Sequence, residues 1–340
     1  MVIKKMSNLF KKIIIPIIFF IHIVSVQSSE PGFDVWLNDF KIVSKKFGIS
    51  EKTINMTFNN IKYLPKVIKY DRYQPEFYED TLTYIKKRAN KSKANKGEKL
   101  YSQNKKFINK VEKEFSVEKE LLLSLMGIET NFGTYLGKMD ILSSLATLSF
   151  DKRRSKFFTR ELLTLLKLVD EGKVNIDILF GSWAGAVGNF QFMPSTIKNY
   201  ALDYDQNNII ELKKFEDSFA SAANYINKIG WKKNTPCFYK IKLKKNIPTK
   251  YLNKSAKKLL HKKKLNDFKK YIVNFNEIDT DGNLQVAIIT PDGDIVENIN
   301  SNLSPAYIVF DNYELILKWN RSLRFALAVC TLKDKIKNEI

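Results

Sequence analysis

The sequence LLLSLMGIETNFGTYLG, residues 121–137, places a carboxylate, Glu129, at the end of a strongly apolar run and just before a turn that contains Gly133. The apolar run predicts a buried α-helix over about residues 117–129. The polar residues and the glycine that follow predict a sharp turn directly after the carboxylate.

The start of this helix has a recognisable polar signal. Ser116 is the predicted N-cap, and Glu118 and Glu120 fall near the positive end of the helix dipole. The signal is not a full capping box, because Lys119 occupies the position that favours Glu or Gln.

A glutamate at the end of an apolar helix meets two unfavourable effects. Apolar surroundings disfavour the ionised form, and the negative end of the helix dipole does the same. Both raise the pKa of a carboxyl group, and an acid that is protonated near neutral pH can protonate a glycosidic oxygen. The alternative is a glutamate that turns into solvent, and spacing alone favours that alternative.

Most of the chain has the apolar periodicity of α-helices. With 340 residues, 44% of them hydrophobic, it can bury a sizeable core. Residues 33–117 are mostly helical in pattern, with a basic polar loop predicted at 90–97 (NKSKANKG). Further helices are predicted at 155–171, from about Pro194, and at 216–229.

The pattern changes after Trp231. Alternation at 237–243 (CFYKIKL) predicts a strand, and 284–299 (LQVAIITPDGDIVENI) predicts a hairpin. The basic segment 257–271 predicts a short exposed helix, and 321–336 returns to a helical pattern. The fold class is therefore mainly α (α+β), with a small strand-containing insert late in the chain.

The first 29 residues are typical of a secretory signal. A basic start with four lysines precedes an apolar run that is shorter than a bilayer span. We predict cleavage, with an uncleaved membrane anchor as the alternative. Without those lysines, the formal net charge of +21 becomes +17, which attracts anionic partners.

Two cysteines, Cys237 and Cys330, are far apart in the sequence. They could pair in an oxidising compartment. Because Cys330 falls in an apolar helical context, the sequence favours two independent buried thiols.

Five blocks in order resemble the membrane-bound lytic murein transglycosylase B family. They are GIETNFG, ILSSLATLSFDKRRSKFFTREL, GSWAGAVGNFQFMPSTIKNYALDY, SAANYINKIGW and ILKWNRSLRFALAV, and the resemblance covers about residues 34–335. It implies a lysozyme-like helical core with additional N-terminal helices. The predicted division is 1–29 signal, 30–116 N-terminal helical region, 117–235 catalytic core, and 236–340 insert and C-terminal helix.

The resemblance implies cleavage of peptidoglycan between N-acetylmuramic acid and N-acetylglucosamine. No water is added, and the muramyl C6 hydroxyl closes on its own anomeric carbon to leave a 1,6-anhydro end. Glu129 is then the catalytic residue, first acid and then base.

Ordinary glycosidases use two carboxylates. The blocks before Asp203 supply no comparable second one, since Asp151 lies in a charged turn that is typical of a solvated ion pair. A single-carboxylate site fits assistance from the substrate's own N-acetyl group.

The resemblance also implies substrate-binding residues, for which the alternative is ordinary packing or solvated charge. The glycines of residues 181–188 would bring backbone close to sugar rings. Trp319 stands where the family usually has a tyrosine. An indole can still stack on a sugar ring, but it cannot replace the hydrogen bond of the tyrosine hydroxyl. The predicted residues are Ser182, Gln191, Tyr225, Tyr84, Arg153, Arg154, Tyr313, Trp319 and Asn320.

The segment after Tyr200 suggests a calcium loop. Asp203, Asp205 and Asn207 alternate like the first ligands of an EF-hand. The twelfth position of the EF-hand pattern is Lys214, which cannot bind calcium. The family has a longer version of this loop, and by resemblance to it Asp217 would be the last ligand and the backbone carbonyl of Ile209 a further one. A plain acidic turn is the alternative, and no cofactor is expected to be required.

The predicted function is that of an exported, periplasmic and monomeric enzyme whose partner is peptidoglycan, with membrane association as a further possibility. The alternatives are a hydrolytic muramidase and a non-catalytic wall-binding protein. A nucleic-acid partner is not expected, because the chain has an export signal and no basic–aromatic RNA motif.

Overall fold

The computed structural model of the protein describes residues 30–73, 78–293 and 303–340. The predicted signal, residues 1–29, lies outside the described residues. So does most of the return half of the hairpin predicted at 284–299.

The described residues form twelve α-helices, which confirms the mainly helical fold class. They are, in chain order, α1 (Phe33–Lys46), α2 (Glu51–Phe58), α3 (Pro65–Arg72), α4 (Thr81–Arg88), α5 (Lys91–Phe115), α6 (Lys119–Thr130), α7 (Ile141–Phe150), α8 (Ser155–Asp170), α9 (Pro194–Tyr200), α10 (Phe215–Lys228), α11 (Asp311–Trp319) and α12 (Leu323–Lys337).

Two small sheets accompany the helices in this part of the chain. Their strands are β1 (Met139–Asp140), β2 (Phe180–Gly181), β3 (Phe238–Ile241), β4 (Leu252–Asn253), β5 (Lys263–Lys264), β6 (Gln285–Ile289) and β7 (Ala306–Val309). β1 pairs with β2. The larger sheet has the order β3-β7-β6-β4, and β5 also pairs with β6.

The larger sheet corrects the predicted pairing of residues 284–299. β6 forms as predicted, but its antiparallel partner is β7, with Ile288 opposite Ile308. On its other edge Ile288 faces Leu252 of the parallel strand β4. The basic segment 257–271 is a short helix only in its second half, as a 3-10 turn over Leu265–Tyr271.

The loop predicted at residues 90–97 is wrong, because this segment is the first part of α5. The side chain of Asn90 accepts a hydrogen bond from the Lys93 N–H at 2.9 Å and so caps the helix. Ala94 and Gly97 are buried, and Gly97 lies against the side chain of Ile336. The polar residues between them face outward, which is why composition alone suggested a loop.

The predicted N-cap of α6 is also wrong. Ser116 ends α5 with a left-handed φ of 54°, and Glu118 holds the N-cap position of α6. Its carboxylate makes no cap, because it accepts hydrogen bonds from the Trp231 indole and from the backbone N–H of Asn234 instead.

One large hydrophobic cluster joins the helices from Phe33 to Ile336. The C-terminal helix α12 packs against α4, α5 and α6, so the end of the chain completes the core around the helix that carries Glu129. A second, smaller cluster, which includes Ile288 and Phe310, lies within the strand-containing insert.

The prediction of two independent thiols is wrong. Cys237 and Cys330 form a disulfide, with their Cα atoms 6.2 Å apart and a sequence separation of 93. Because helix periodicity carries no information on such distant pairs, the sequence could not place Cys330 beside Cys237. The bond ties the start of the insert to α12.

No helix in the described ranges combines the length and the apolar character that a bilayer crossing requires.

Candidate active site

Glu129 lies in the last turn of α6, where the helix is closed by a tight hydrogen-bonded cap. The N–H groups of Asn131 and Phe132 donate to the carbonyls of Gly127 and Met126, each at 3.1 Å. Asn131 has a left-handed φ of 51°, as this type of cap requires. The half-buried Glu129 is therefore held at the end of a rigid helix.

A buried polar contact fixes the turn after Glu129 to the glycine-rich segment. The Thr130 hydroxyl donates to the carbonyl of Asn189 at 2.8 Å and accepts from the N–H of Gly133 at 3.0 Å. The Asn189 side chain donates to Ser218 Oγ on α10 at 2.9 Å. Sequence reasoning missed Asn189, although an amide directly after Gly188 in an otherwise apolar stretch was a usable signal.

The side chain of Trp319 contacts Glu129 directly. Its indole Nε1 donates a hydrogen bond to Glu129 Oε1 at 2.9 Å, and both residues are half-buried. Trp319 ends α11, and the half-buried Asn320 follows it as the C-cap. The structure therefore brings Glu129, Trp319 and Asn320 to one place.

Trp319 is held by a cluster of aromatic rings. It stacks on Tyr225 with centroids 5.0 Å apart and planes at 18°, and Tyr225 stacks on Tyr200 at 4.3 Å. The edges of Phe190 and Phe192 pack against Trp319 at 6.3 and 5.5 Å. These contacts fix the plane of the indole and thus the direction of its N–H.

The hydroxyl of Tyr225 is directed at the protein backbone. It donates to the carbonyl of Lys318 at 3.2 Å. Burial raises the pKa of Tyr225 to about 12, so the hydroxyl is protonated at neutral pH. In this arrangement Tyr225 supports Trp319.

Gln191 and Ser182 are both bound to backbone in the glycine-rich segment. The Gln191 amide donates to the carbonyls of Gly188 at 2.9 Å and Leu136 at 3.4 Å. Ser182 Oγ accepts from the N–H of Ala186 at 3.0 Å, which leaves its own proton to be donated elsewhere.

Two glycines of this segment are required by internal packing, which was the alternative to making room for sugar rings. A Cβ at Gly185 would collide with the side chain of Leu145, and one at Gly188 would collide with the backbone of Leu212. Both have positive φ, 87° and 78°, where glycine is favoured.

Two predicted aromatic contacts are buried instead. Tyr313 has no exposed surface and its hydroxyl donates to the Leu323 carbonyl at 2.7 Å, so the prediction that it contacts substrate is corrected to a core role. Burial holds the pKa of this hydroxyl well above its ordinary value. Tyr84 is 5% exposed and lies beneath the guanidinium of Arg88 at 3.7 Å.

The predicted arginine pair belongs to an ion-pair network at α3. Arg153 Nε donates to Asp71 at 2.7 Å, and Arg154 binds the other oxygen of the same buried carboxylate. Arg72 pairs with Asp151 at 2.7 Å, and its hydrogen bond holds the pKa of Asp151 below its usual value. Both predicted arginines are therefore already bound to an internal carboxylate.

The predicted calcium loop gathers its carboxylates. One oxygen from each of Asp203, Asp205 and Asp217 lies within 4.8 Å of the others. Asp217 is fully buried and accepts from the backbone N–H groups of Tyr204 and Glu211, each at 2.8 Å. Three carboxylates this close repel one another, and a hard divalent cation would offset that repulsion.

The rest of the loop is an acidic turn that is held by hydrogen bonds between its own residues. The Asn207 amide donates to Asp205 at 2.9 Å, and its Oδ1 accepts from the N–H of Ile209 at 2.9 Å. Asn208 has a φ of 70° and its N–H donates to Asp203 at 2.8 Å. All the predicted donors are oxygens, the type that Ca²⁺ prefers.

Comparison with known proteins gives a consistent result. The family described as Transglycosylase SLT domain matches residues 32–334. Membrane-bound lytic murein transglycosylase B of Escherichia coli (strain K12) is 37% identical over 153 residues, which are 45% of this chain and 42% of that protein. The match thus spans less than half the length of this relative.

Solved structures share the fold. SltB3 from Pseudomonas aeruginosa, in complex with NAG-NAM-pentapeptide, superposes with a TM-score of 0.77 at 28% identity over 91% of this chain and 80% of that chain. Escherichia coli Slt35, in complex with calcium, gives a TM-score of 0.72 at 23% identity over 91% and 93% of the chains, which bears on the fold alone.

Proposed function

The chain belongs to the transglycosylase SLT domain family, and from this premise we propose that it is a peptidoglycan lytic transglycosylase. It would cleave the β-1,4 bond between N-acetylmuramic acid and N-acetylglucosamine and leave 1,6-anhydromuramyl ends. The observation that carries the proposal is the position of Glu129 within the family match, half-buried at the end of α6, where the Trp319 indole donates a hydrogen bond to its carboxyl group. The SltB3 complex with NAG-NAM-pentapeptide supports the same class of substrate.

Glu129 acts first as the acid. Because the indole of Trp319 only donates, it favours the carboxyl form in which Oε1 is the carbonyl oxygen and the proton is on Oε2. That proton passes to the glycosidic oxygen, the bond from C1 of the muramyl residue to this oxygen breaks, and the N-acetylglucosamine side leaves with a hydroxyl. The substrate's N-acetyl group stabilises the positive charge at C1.

Glu129 then acts as the base. Its carboxylate takes the proton of the muramyl C6 hydroxyl, and O6 forms the new bond to C1. The enzyme ends in its starting protonation state and no water is consumed. Trp319 is a positioning residue, because its hydrogen bond orients the carboxyl group and stabilises the carboxylate present between the two steps.

The groove is assigned to residues 117–235 together with the end of α11. Substrate contacts are proposed for Ser182 through its free hydroxyl proton, for Trp319 and Asn320 through their partly exposed surfaces, and for Gln191 beside the turn after Glu129. Tyr225 contributes through its stack on Trp319.

Arg153 and Arg154 are proposed to meet stem-peptide carboxylates with the donors that Asp71 leaves available. Their side chains are 43% and 38% exposed, so a solvated ligand can approach both. Tyr84 is proposed to support the overlying Arg88 rather than to touch substrate.

A structural calcium ion would be held by Asp203, Asp205, Asn207, Asp217 and the carbonyl of Ile209. Bound there, it would stabilise the segment between α9 and α10 and take no part in the reaction. The Slt35 complex with calcium concerns a protein of the same fold.

We place the protein in the periplasm as a monomer, exported by its N-terminal segment and associated with the membrane if that segment is retained. The disulfide between Cys237 and Cys330 supports an oxidising compartment.

The test is mass analysis of the products from purified sacculi. The proposal predicts muropeptides with anhydro ends, each lighter by one water than the products of a hydrolytic muramidase used as the control digest. Reducing ends in the same amounts as in that control would identify a hydrolase. Binding to sacculi without release of any soluble product would identify a wall-binding protein.

A further inference from the structure

The positive charge of this chain is concentrated in the insert. Residues 238–275 contain thirteen lysines and one acidic residue, Asp267, so this segment carries +12 of the formal net charge of +21. Like charges at this density repel one another, and a polyanionic ligand would relieve that repulsion.

Part of this charge surrounds an open cavity of about 350 Å³ between the insert and α11. Lys257 and Lys258 line it from the insert, and Lys318 and Arg321 line it from the end of α11. All four are exposed. Within the described parts of the chain, none of the four makes an ion pair.

The acidic residue on the cavity wall is already neutralised. Glu314 pairs with Lys262, which also approaches Asp311 at 3.5 Å. The remaining four cations therefore give the cavity a net positive potential.

The cavity is linked to the proposed catalytic residue through the end of α11. Lys318 directly precedes Trp319, whose indole contacts Glu129, and the Lys318 carbonyl accepts from Tyr225. We expect a polymer bound across Glu129 to pass close to these cations, because Lys318 and Arg321 lie within two residues of Trp319.

We propose that this cavity binds a carboxylate of the peptide stem carried by the glycan strand that Glu129 cleaves. This inference rests on the proposed function. The glycosidic backbone offers few anionic groups, whereas each peptide stem ends in a carboxylate, and a concave site with several cations suits a compact anion better than a flat lipid surface.

The test combines two matched variants with two substrates. Lys257→Gln, Lys258→Gln and Arg321→Gln together remove three cavity charges. Lys263→Gln, Lys269→Gln and Lys270→Gln remove three charges from another surface cavity of the insert, which Tyr251 and Tyr271 also line. The substrates are soluble glycan strands with their stems and the same strands after an amidase has removed the stems and the lactyl carboxylates that this exposes have been converted to methylamides.

We expect the cavity variant to raise KM for stem-bearing strands about tenfold at unchanged kcat, since each exposed ion pair contributes modestly. Its KM for stem-free strands should equal that of the wild type, and the control variant should match the wild type on both substrates. Equal weakening by both variants would assign the effect to overall charge and overturn the proposal. An equal effect on both substrates, or no effect, would also overturn it.

Binding measurements separate this inference from the proposed function. Fluorescently labelled stem-bearing strands are titrated with each variant in a Glu129→Gln background, alongside vesicles that contain anionic phospholipid. If only the cavity variant binds the strands more weakly, the inference is supported. Absence of cleavage of either substrate by the wild-type protein would refute only the proposed function and would leave this binding result standing. Loss of vesicle binding with unchanged strand binding would assign the cavity to lipid headgroups and overturn the inference.

Discussion

The indole N–H of Trp319 donates to Oε1 of Glu129 at 2.9 Å, although 190 residues separate the two in sequence. The contact exists because α11 and α12 return to the helical core after the insert, and α12 packs directly against α6. The end of the chain thereby supplies a hydrogen-bond donor to the acid that an earlier helix carries. Trp319 and Glu129 must therefore be considered as one unit.

Trp319→Phe should shift the pH dependence of activity. The phenyl ring retains the stack on Tyr225 but cannot donate to Glu129. A hydrogen bond to a carboxylate favours the ionised form, so its loss raises the pKa of the acid. Activity that requires protonated Glu129 should then persist to a higher pH, with the alkaline limb of kcat/KM moved up by about 0.5–1 pH unit and kcat reduced about tenfold.

The matched control is Trp36→Phe, which changes an indole that stacks on Phe40 in α1. We expect its pH profile to superpose on that of the wild type. An unmoved alkaline limb in Trp319→Phe, or a limb that moves down, would contradict the proposed role of the indole.

Tyr225→Phe should leave catalysis nearly intact. The hydroxyl donates to the Lys318 carbonyl, so its removal should lower the free energy of unfolding by about 1 kcal/mol and change kcat/KM by less than about threefold. Tyr225→Ala removes the whole ring from the aromatic cluster and should destabilise the protein by about 3–5 kcal/mol. Steady-state kinetics with denaturant unfolding measures both effects. A large rise of KM in Tyr225→Phe would instead show that the hydroxyl binds substrate.

Reduction of the disulfide should destabilise the protein without changing the chemistry. Cys237 and Cys330 close a loop with a sequence separation of 93, for which the loss on opening is about 2–5 kcal/mol. Unfolding by guanidinium with and without reductant measures the change. The double variant Cys237→Ala/Cys330→Ala serves as the control, and its unfolding midpoint should be the same with and without reductant. A wild-type midpoint that is insensitive to reductant would contradict the bond.

Calcium should raise the melting temperature of the wild type. At a calcium concentration about 100 times Kd, binding adds about 2.7 kcal/mol, which corresponds to roughly 4 °C for a chain of this size. Asp205→Asn should abolish this shift. Asp281→Asn is the matched control, since Asp281 accepts from the Asn283 N–H at 2.9 Å in another exposed turn. Equal melting temperatures with calcium and with chelator in the wild type would contradict the site.

Local sequence patterns predicted the helices whose apolar faces are regular. α8 and α10 agree within one residue with the predicted 155–171 and 216–229, and α6 with 117–129 within two. The pattern failed at residues 90–97, where a helix is stabilised by Asn90 at its cap and by two small residues packed under α12. The cap at Asn90 is a local signal that was overlooked, whereas the packing of Gly97 against Ile336 depends on tertiary structure and leaves no local signal.

The sequence indicated two residues that meet in the structure, but not how they meet. The motifs pointed to Glu129 and Trp319, whereas their hydrogen bond joins distant segments and leaves no local signal. The replacement of a usual tyrosine by Trp319 was expected to preserve only stacking, yet the indole supplies a donor. Tyr313 was misassigned because the periodicity of a short helix does not show that a ring is fully enclosed.

Digestion of purified sacculi by wild-type and Glu129→Gln protein tests the central claim most directly. Glutamine keeps the size of the side chain and an oxygen for the Trp319 hydrogen bond but supplies no acidic proton. We predict that release of anhydro-ended muropeptides falls by roughly 10²–10⁴-fold while binding to sacculi is unchanged. Undiminished release of the same products by Glu129→Gln would contradict the assignment of Glu129 as the catalytic acid.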